Sequence, residues 1–177
     1  MGFLKRLLGG DEPADNSKRA SQGPISDWSD ADFDGVIRRA AFMDVSDHKL
    51  KVVGVGQHQG TLELIARGRT IDGAVMPDHW AALLPEPDNV YDENAVRVVL
   101  TQQGDNPLSA VVGYLSREDA VAYRPAIDRL AAAGLVLACR ASIVGGWDRA
   151  DGRGSFGVRL HVATPAGVRR ELDVSGV

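Results

Sequence analysis

Short apolar runs broken by polar turns dominate the chain, and most of them alternate in the way of half-buried strands. The pattern predicts strands over five stretches: Lys49 to Gly56, Asn94 to Leu100, Ser109 to Leu115, Leu135 to Val144 and Ser155 to Val162. The second and third are expected to pair as a hairpin across residues 104–107, and the last two across a turn at residues 151–154. Several short strands with two or three short helices indicate a mainly β, α+β fold, built as a compact, partly open small barrel.

Helical spacing appears on either side of this strand-rich core. Residues 29–32 have the form of a capping box, and a stripe follows it at Phe33, Val36, Ile37, Ala40 and Ala41. We therefore predict a leading helix within residues 28–47 that packs on the domain. Ser116 is the expected N-cap of a second helix, which Gly134 ends. Pro125 is expected to bend this helix or to lie in its first turns. Its buried stripe is predicted to be Ala120, Tyr123, Ile127, Leu130 and Ala131.

The two ends of the chain carry weaker patterns. Residues 1–27 are predicted to be a flexible segment, because Gly, Pro, Ser, Asp and Asn leave little to bury after residue 8. Its start, Phe3–Leu8, has an amphipathic stripe that fits a docking helix for a partner, contact with an anionic membrane surface, or a frayed terminus. Residues 165–177 are predicted to be a C-terminal tail.

Composition restricts the class of protein. No apolar run approaches the roughly 18 residues that a membrane helix needs, and no signal-peptide pattern is present. The single cysteine, Cys139, permits no internal disulfide, so a reduced cytoplasmic setting is the expectation. The net charge of −4 is uneven, since residues 117–177 hold nine basic and seven acidic residues. That asymmetry is compatible with a local phosphate-binding face and equally with an ordinary solvated surface.

The most informative stretch is residues 85–98, PEPDNVYDENAVRV. Two prolines exclude helix, and Asp88 with Asn89 can close a turn through their own side chains. Asp92 and Asn94 then place short polar groups at the start of a strand that is rich in β-branched residues. A polar loop that bears an aromatic residue and is held by a strand is a common recognition element.

This stretch resembles the signature of the HIRAN domain, which reads roughly E-P-x-N-x-Y-D-x-N-A-V-x-V. Two further blocks agree, because residues 112–118 resemble the family's step from strand into helix and residues 54–58 resemble its first strand and loop. The resemblance covers most of residues 48–164. The chain departs from the family at Val90, where proline is usual, and at Pro85, where a basic residue is common.

The resemblance implies a modified OB-like barrel and favours helix for the otherwise ambiguous residues 62–66. It also implies a non-enzymatic module that grips the 3′-hydroxyl end of single-stranded DNA, in bacterial DNA repair or processing and with a helicase or repair protein as partner. The site residues implied are Asp92, Tyr91, Asn89, Tyr114, Arg117 and His58. In this interpretation Asp92 accepts from the terminal hydroxyl, Tyr91 stacks on the last bases and Arg117 holds a phosphate.

Five of these six residues also have a structural interpretation. Asn89 and Asp92 can simply close the turn, Tyr91 and Tyr114 can be packing aromatics, and Arg117 can be a solvated helix residue. A second function remains open, in which the barrel is a protein-interaction module that has lost DNA binding. The acidic net charge favours this alternative, because it lowers affinity for phosphates.

Enzymatic chemistry has little support in the sequence. A third alternative is a metal-assisted nuclease or phosphohydrolase that uses Glu86, Asp88 and Asp92. No metal site is predicted from His58, His79 and Cys139, whose spacing fits no zinc pattern. No cofactor is predicted either, because the glycines at residues 54–60 match neither the dinucleotide nor the phosphate-loop pattern.

Overall fold

The computed structural model describes residues 40–66, 76–102, 108–146, 148–149 and 152–177. The helices are α1 (Gln59–Ala66), α2 (Arg117–Ala132) and α3 (Pro165–Ser175), and a 3₁₀ helix (Val55–His58) leads into α1. The strands are, in chain order, β1 (Ala40–Phe42), β2 (Asp44–Lys51), β3 (Met76–Pro85), β4 (Val96–Gln102), β5 (Leu108–Tyr114), β6 (Val136–Gly145), β7 (Asp148–Arg149), β8 (Gly152–Arg153) and β9 (Phe156–Val162).

One antiparallel sheet organises the described residues. Its strand order is β2-β9-β6-β3-β4-β5, and the short β1 adds to β6 in parallel. β7 and β8 form a small separate hairpin between β6 and β9. The fold is therefore mainly β with three helices, which confirms the α+β class and the predicted pairing of β4 with β5.

In the described part of the chain, a backbone bridge joins the two edges of this sheet. Val53, just beyond the edge strand β2, forms an antiparallel bridge with Tyr114 at the end of the opposite edge strand β5. The Val53 amide donates to the Tyr114 carbonyl at 2.8 Å, and the Tyr114 amide donates to the Val53 carbonyl at 2.9 Å. Gly113 makes this approach possible, because a Cβ there would lie 2.3 Å from the Val53 oxygen.

Alternation along the strands assigns one face of the sheet to the core. In β6, residues 137, 139, 141 and 143 point into the main hydrophobic cluster, and Leu160 and Val162 of β9 join them. The helices close this core with Leu62 of α1, Tyr123 of α2 and Leu172 of α3. This hydrophobic core holds α2 against the sheet, and α2 carries part of the candidate site.

Helix α2 begins and ends as its sequence predicts. The Ser116 hydroxyl oxygen accepts from the Asp119 amide at 3.1 Å, and Gly134 takes a left-handed φ of 71° just after the helix. The helix continues through Pro125 from Arg117 to Ala132. Four of the five predicted stripe residues are buried, whereas Ala131 is exposed and Ala126 takes its place in the core.

The predicted C-terminal tail is wrong, since residues 165–175 form α3. The Thr164 hydroxyl accepts from the Gly167 amide at 3.2 Å, and Pro165 occupies the first turn, where its missing N–H costs nothing. Val168 and Leu172 are buried one turn apart. The Thr-Pro start and this spacing are a helix signal, and the domain therefore extends beyond residue 164.

The predicted leading helix is wrong over residues 40–47. Ala40–Phe42 pairs with β6 and Asp44–Lys51 pairs with β9, so backbone partners in the sheet override the helical spacing. Residues 28–39 of that prediction and the Phe3–Leu8 stripe lie outside the described residues.

The remaining element predictions differ mainly at their boundaries. The first strand was predicted to extend to Gly56, but it ends at Lys51 and the 3₁₀ helix begins at Val55. Helix α1 confirms the helical interpretation of residues 62–66. Within the described parts of the chain, no helix has both the length and the apolar character needed to cross a bilayer.

Gly113→Ala is expected to lower the free energy of unfolding by roughly 2 kcal/mol or more, since its methyl group would collide with the Val53 carbonyl in a backbone with φ of 147°. Urea unfolding followed by circular dichroism measures the change. Gly60→Ala in α1 is the control, because a Cβ there meets nothing within 4 Å. A Gly113→Ala protein as stable as the parent would show that the two sheet edges need not meet.

Candidate functional site

The loop between β3 and β4, residues 86–95, is a closed, hydrogen-bonded structure. The Glu86 amide donates to the Ala95 carbonyl at 2.9 Å, which extends the strand pairing by one step. Inside the loop the Asn89 amide donates to the Glu86 carbonyl at 3.1 Å, and the Ala95 amide donates to the Asp92 carbonyl at 2.9 Å. These bonds divide the loop into two successive turns with residues 90 and 91 between them.

Asn89 holds the first turn together. Its side-chain oxygen accepts from the amides of Tyr91 at 3.0 Å and Asp92 at 3.3 Å. Its side-chain nitrogen donates to the Glu86 carboxylate at 2.8 Å. The structural interpretation of Asn89 as a turn residue is confirmed, because an asparagine that bonds the backbone two residues on is a recognised turn device.

Glu86 and Arg97 form an ion pair that fixes the base of the loop. Their side chains are only 11% and 14% exposed, so water screens the pair poorly. Reasoning from the sequence missed this pair, although an arginine inside a β-branched strand is a signal that it needs a nearby carboxylate. Asn89 contacts one carboxylate oxygen of Glu86 and Arg97 contacts the other, so both oxygens are used in contacts that hold the loop.

Asp92 combines a structural and an exposed contact. One carboxylate oxygen accepts from the Asn94 amide at 3.0 Å, and the other accepts from the Arg117 guanidinium at 3.1 Å. The Asn94 hydrogen bond, with a smaller contribution from Arg117, holds the pKa of Asp92 below its ordinary value. A carboxylate offers about four acceptor positions, so it retains capacity for a further donor beside these two bonds.

Arg117 approaches the loop from the first turn of α2. Its side chain is 78% exposed and extends to Asp92. The start of a helix favours anions, since its first amides lack partners within the helix. A second arginine, Arg124, donates to the Glu93 carbonyl at 2.6 Å and ties the middle of α2 to the same loop. The loop and the helix start therefore form one corner of the molecule.

The tip of the loop presents apolar surface to solvent. Val90 and Tyr91 are 88% and 90% exposed. The interpretation of Tyr91 as a core aromatic is therefore wrong, and its ring is accessible on the same loop as the Asp92 carboxylate. An exposed aromatic ring on a hydrogen-bonded backbone is suited to stacking against a flat ligand.

Two of the predicted site residues take no part in the side-chain hydrogen bonds that form this corner. The backbone of Tyr114 bridges to Val53, and its half-buried ring lies along Gly54, where a Cβ would be 3.8 Å from it. His58 ends the 3₁₀ helix and is half-buried. Among the described residues, no hydrogen bond or ion pair joins the side chains of these two residues to the 86–95 loop. The corner unites Asn89, Tyr91, Asp92 and Arg117.

The three carboxylates proposed for a metal-assisted nuclease or phosphohydrolase, Glu86, Asp88 and Asp92, do not form a metal site. Glu86 is engaged by Asn89 and Arg97, whereas Asp88 is exposed. Within the described residues, no three His, Cys, Asp or Glu side chains are grouped in a way that could hold a metal ion.

Comparisons with models of known protein families, with curated proteins and with solved structures returned no match.

NMR titration of the Asp92 carboxyl carbon is expected to give a midpoint below the ordinary value of 3.8. Arg117→Gln should raise the pKa only part of the way, because the Asn94 amide is the larger cause. Since the folded-state pKa is depressed, the stabilisation from this carboxylate is complete above its unfolded pKa and is lost as the pH falls through the folded pKa. A midpoint at or above the ordinary value would contradict this assignment.

Proposed function

We propose that this chain is a HIRAN-like, non-enzymatic module that binds the 3′-hydroxyl end of single-stranded DNA at the corner formed by the 86–95 loop and the start of α2. The observation that carries the proposal is the exposed Tyr91 ring on the same short loop as the Asp92–Arg117 pair. A stacking surface, an acceptor and a cation in one place match the base, the hydroxyl and the last phosphate of a strand end.

The finer fold assignment, an OB-like and partly open barrel, belongs to this proposal. Its support is the Val53–Tyr114 bridge, which brings the chain after β2 against β5, the two edge strands of the antiparallel sheet. Barrels of this kind commonly bind oligonucleotides across strands and adjoining loops. The 86–95 loop leaves the sheet at the end of β3, beside the residues that follow β5.

Binding would redistribute contacts that already exist in the corner. Arg117 is 78% exposed in its pair with Asp92, and an ion pair so open to water contributes little to stability. Arg117 can therefore leave the carboxylate for a phosphate at low cost. The carboxylate oxygen that Arg117 releases then accepts from the terminal 3′-hydroxyl. The Asn94 amide keeps the other oxygen in place throughout, and the carboxylate stays oriented.

The same geometry provides selectivity at the strand end. A 3′-phosphate would place negative charge against the Asp92 carboxylate, whose depressed pKa keeps it ionised at neutral pH. A carboxylate is an acceptor only and cannot donate to a phosphate oxygen. Discrimination between the two ends therefore arises mainly from repulsion of the wrong ligand. We place the module in the cytoplasm, in DNA repair or processing, beside a helicase or repair protein.

Fluorescence anisotropy with oligonucleotides that differ only in a 3′-hydroxyl or a 3′-phosphate tests this function. The wild type should prefer the hydroxyl end by roughly tenfold or more, which corresponds to a difference in binding free energy of about 1.4 kcal/mol. Asp92→Asn should remove most of that preference, because the amide keeps an acceptor for the Asn94 N–H and loses the charge.

Asp88→Asn is the matched control, since Asp88 is an exposed acid of the same loop. It should retain the preference of the wild type. Equal affinity of the wild type for both ends, or equal effects of the two substitutions, would overturn the proposal. Cleavage of the oligonucleotide that depends on added Mg²⁺ would instead support the phosphohydrolase alternative.

One observation favours a second function, a protein-interaction module. Val90 beside Tyr91 makes the loop tip an exposed apolar surface, and contiguous apolar surface is a mark of protein contacts. Under this alternative, the wild type would bind both oligonucleotides weakly and equally, and Tyr91→Ala would leave that weak binding unchanged. Under DNA-end binding, the same substitution should weaken binding to both ends, because the stacking surface serves either one.

A further inference from the structure

Arg124 links the middle of α2 to one peptide group of the 86–95 loop. Its Nη1 donates to the Glu93 carbonyl at 2.6 Å, across 31 positions of sequence. Its Nε donates to the Asp128 carboxylate at 2.7 Å, one helical turn further along α2. The Arg124 side chain is only 19% exposed. Because a guanidinium is planar and two of its donors are engaged, it is held in one orientation between the helix and the loop.

The peptide group that Arg124 contacts is also the one that orients Asp92. Its carbonyl oxygen belongs to Glu93 and its N–H belongs to Asn94, and this N–H donates to the Asp92 carboxylate at 3.0 Å. The peptide bond is trans, so the oxygen and the N–H point in opposite directions from one rigid plane. A contact that fixes the oxygen therefore fixes the direction in which the N–H meets the carboxylate.

The charge of Arg124 strengthens the same hydrogen bond. A cationic donor on a carbonyl oxygen draws electron density from the amide nitrogen, and successive hydrogen bonds polarise one another in this way. The Asn94 N–H is consequently a stronger donor to Asp92 than it would be if the Glu93 carbonyl faced water. This hydrogen bond is the largest cause of the lowered pKa of Asp92.

The two arginines that reach the loop from α2 differ in their exposure to solvent. Arg117 is 78% exposed and contacts the Asp92 carboxylate directly, so a ligand phosphate can take it over. Arg124 is 19% exposed and is already engaged by Asp128 and the Glu93 carbonyl. When Arg117 moves to a phosphate, the Arg124 contact remains to hold the loop to α2.

We infer that Arg124 is a positioning residue of the strand-end site, which acts through the peptide between Glu93 and Asn94 to direct the Asp92 carboxylate at the terminal 3′-hydroxyl. The inference rests on the proposed function, because that function supplies the hydroxyl. The work of the two arginines is thereby divided. Arg117 contacts the bound strand, whereas Arg124 touches no part of it and holds the acceptor that recognises its end.

The preference for a 3′-hydroxyl over a 3′-phosphate, measured by anisotropy, tests this role. Arg124→Met keeps an unbranched side chain of similar reach and removes both the donors and the charge. Loss of charge alone would weaken the more negative phosphate end more and would raise the preference. Loss of positioning lowers it, and we expect a fall of roughly two- to tenfold, the range of one net hydrogen bond. An unchanged or increased preference would overturn the inference.

Arg129→Met is the matched control. Arg129 lies on the same helix and also donates to one carboxylate and one carbonyl, those of Asp173 and Val177. These acceptors lie in α3 and just after it, so the substitution removes the same charge and similar contacts without touching the loop. The end preference should not fall in this variant. Equal falls in the two variants would assign the effect to the docking of α2 in general and would contradict the role of Arg124.

The same role has a consequence in the absence of DNA. Arg124→Met should speed hydrogen exchange of the Asn94 amide by roughly threefold or more, because the peptide loses the contact that fixes it. Arg129→Met should leave this exchange rate as in the wild type, and an Asn94 rate that Arg124→Met does not change would also overturn the inference.

Failure of the proposed function has a different signature. If the wild type shows no end preference but Arg124→Met speeds exchange at Asn94, strand-end binding fails and the positioning of Asp92 by Arg124 stands. If the wild type prefers the 3′-hydroxyl and Arg124→Met changes neither the preference nor the exchange rate, the function stands and the inference fails.

Discussion

Two backbone hydrogen bonds between Val53 and Tyr114 determine where the candidate site can form. They fix the end of β5 against the chain that leaves β2, and the Leu115 amide then donates to the Val96 carbonyl at 3.0 Å. Because Tyr114 and Leu115 are held in this way, the start of α2 at Ser116 has a fixed position relative to the sheet. Arg117 consequently lies beside a loop that is 25 residues distant in sequence. The absence of a side chain at Gly113 is what allows the approach.

The loop itself shows how polar residues can order a backbone and still present a ligand surface. Asn89, Glu86 and Arg97 are used internally, so they establish the shape without facing the solvent as free groups. Asp92 does both: one carboxylate oxygen accepts from the Asn94 amide inside the loop, and the other accepts from the exposed Arg117. Val90 and Tyr91 have no such internal task, and they are the most exposed large apolar residues of the described chain.

Periodicity predicted β4, β5, β6 and β9, because strand alternation and helix caps are local signals, but it did not predict the central strand β3. The Ser116 cap and the pairing of β4 with β5 are both confirmed. Local signals failed where a distant partner decides the outcome. Ala40 and Ala41 have helical spacing but find backbone partners in β6. The α3 helix was missed although Thr164-Pro165 signals its start, since the stripe of Val168 and Leu172 is too short to stand out.

Neither the exposure of Tyr91 nor the Glu86–Arg97 pair follows from spacing alone, because both depend on how the loop folds over the sheet.

The Tyr123 hydroxyl provides a reporter for the packing of α2. Tyr123 lies in the middle of α2, and its hydroxyl donates to the Ala163 carbonyl, between β9 and α3, at 2.7 Å. Burial raises the pKa of this phenol far above its ordinary value. A phenolate at Tyr123 would need α2 to lift from the sheet. The chain has three tyrosines, so the part of the alkaline absorbance change that a Tyr123→Phe variant lacks reports whether the helix that bears Arg117 remains docked.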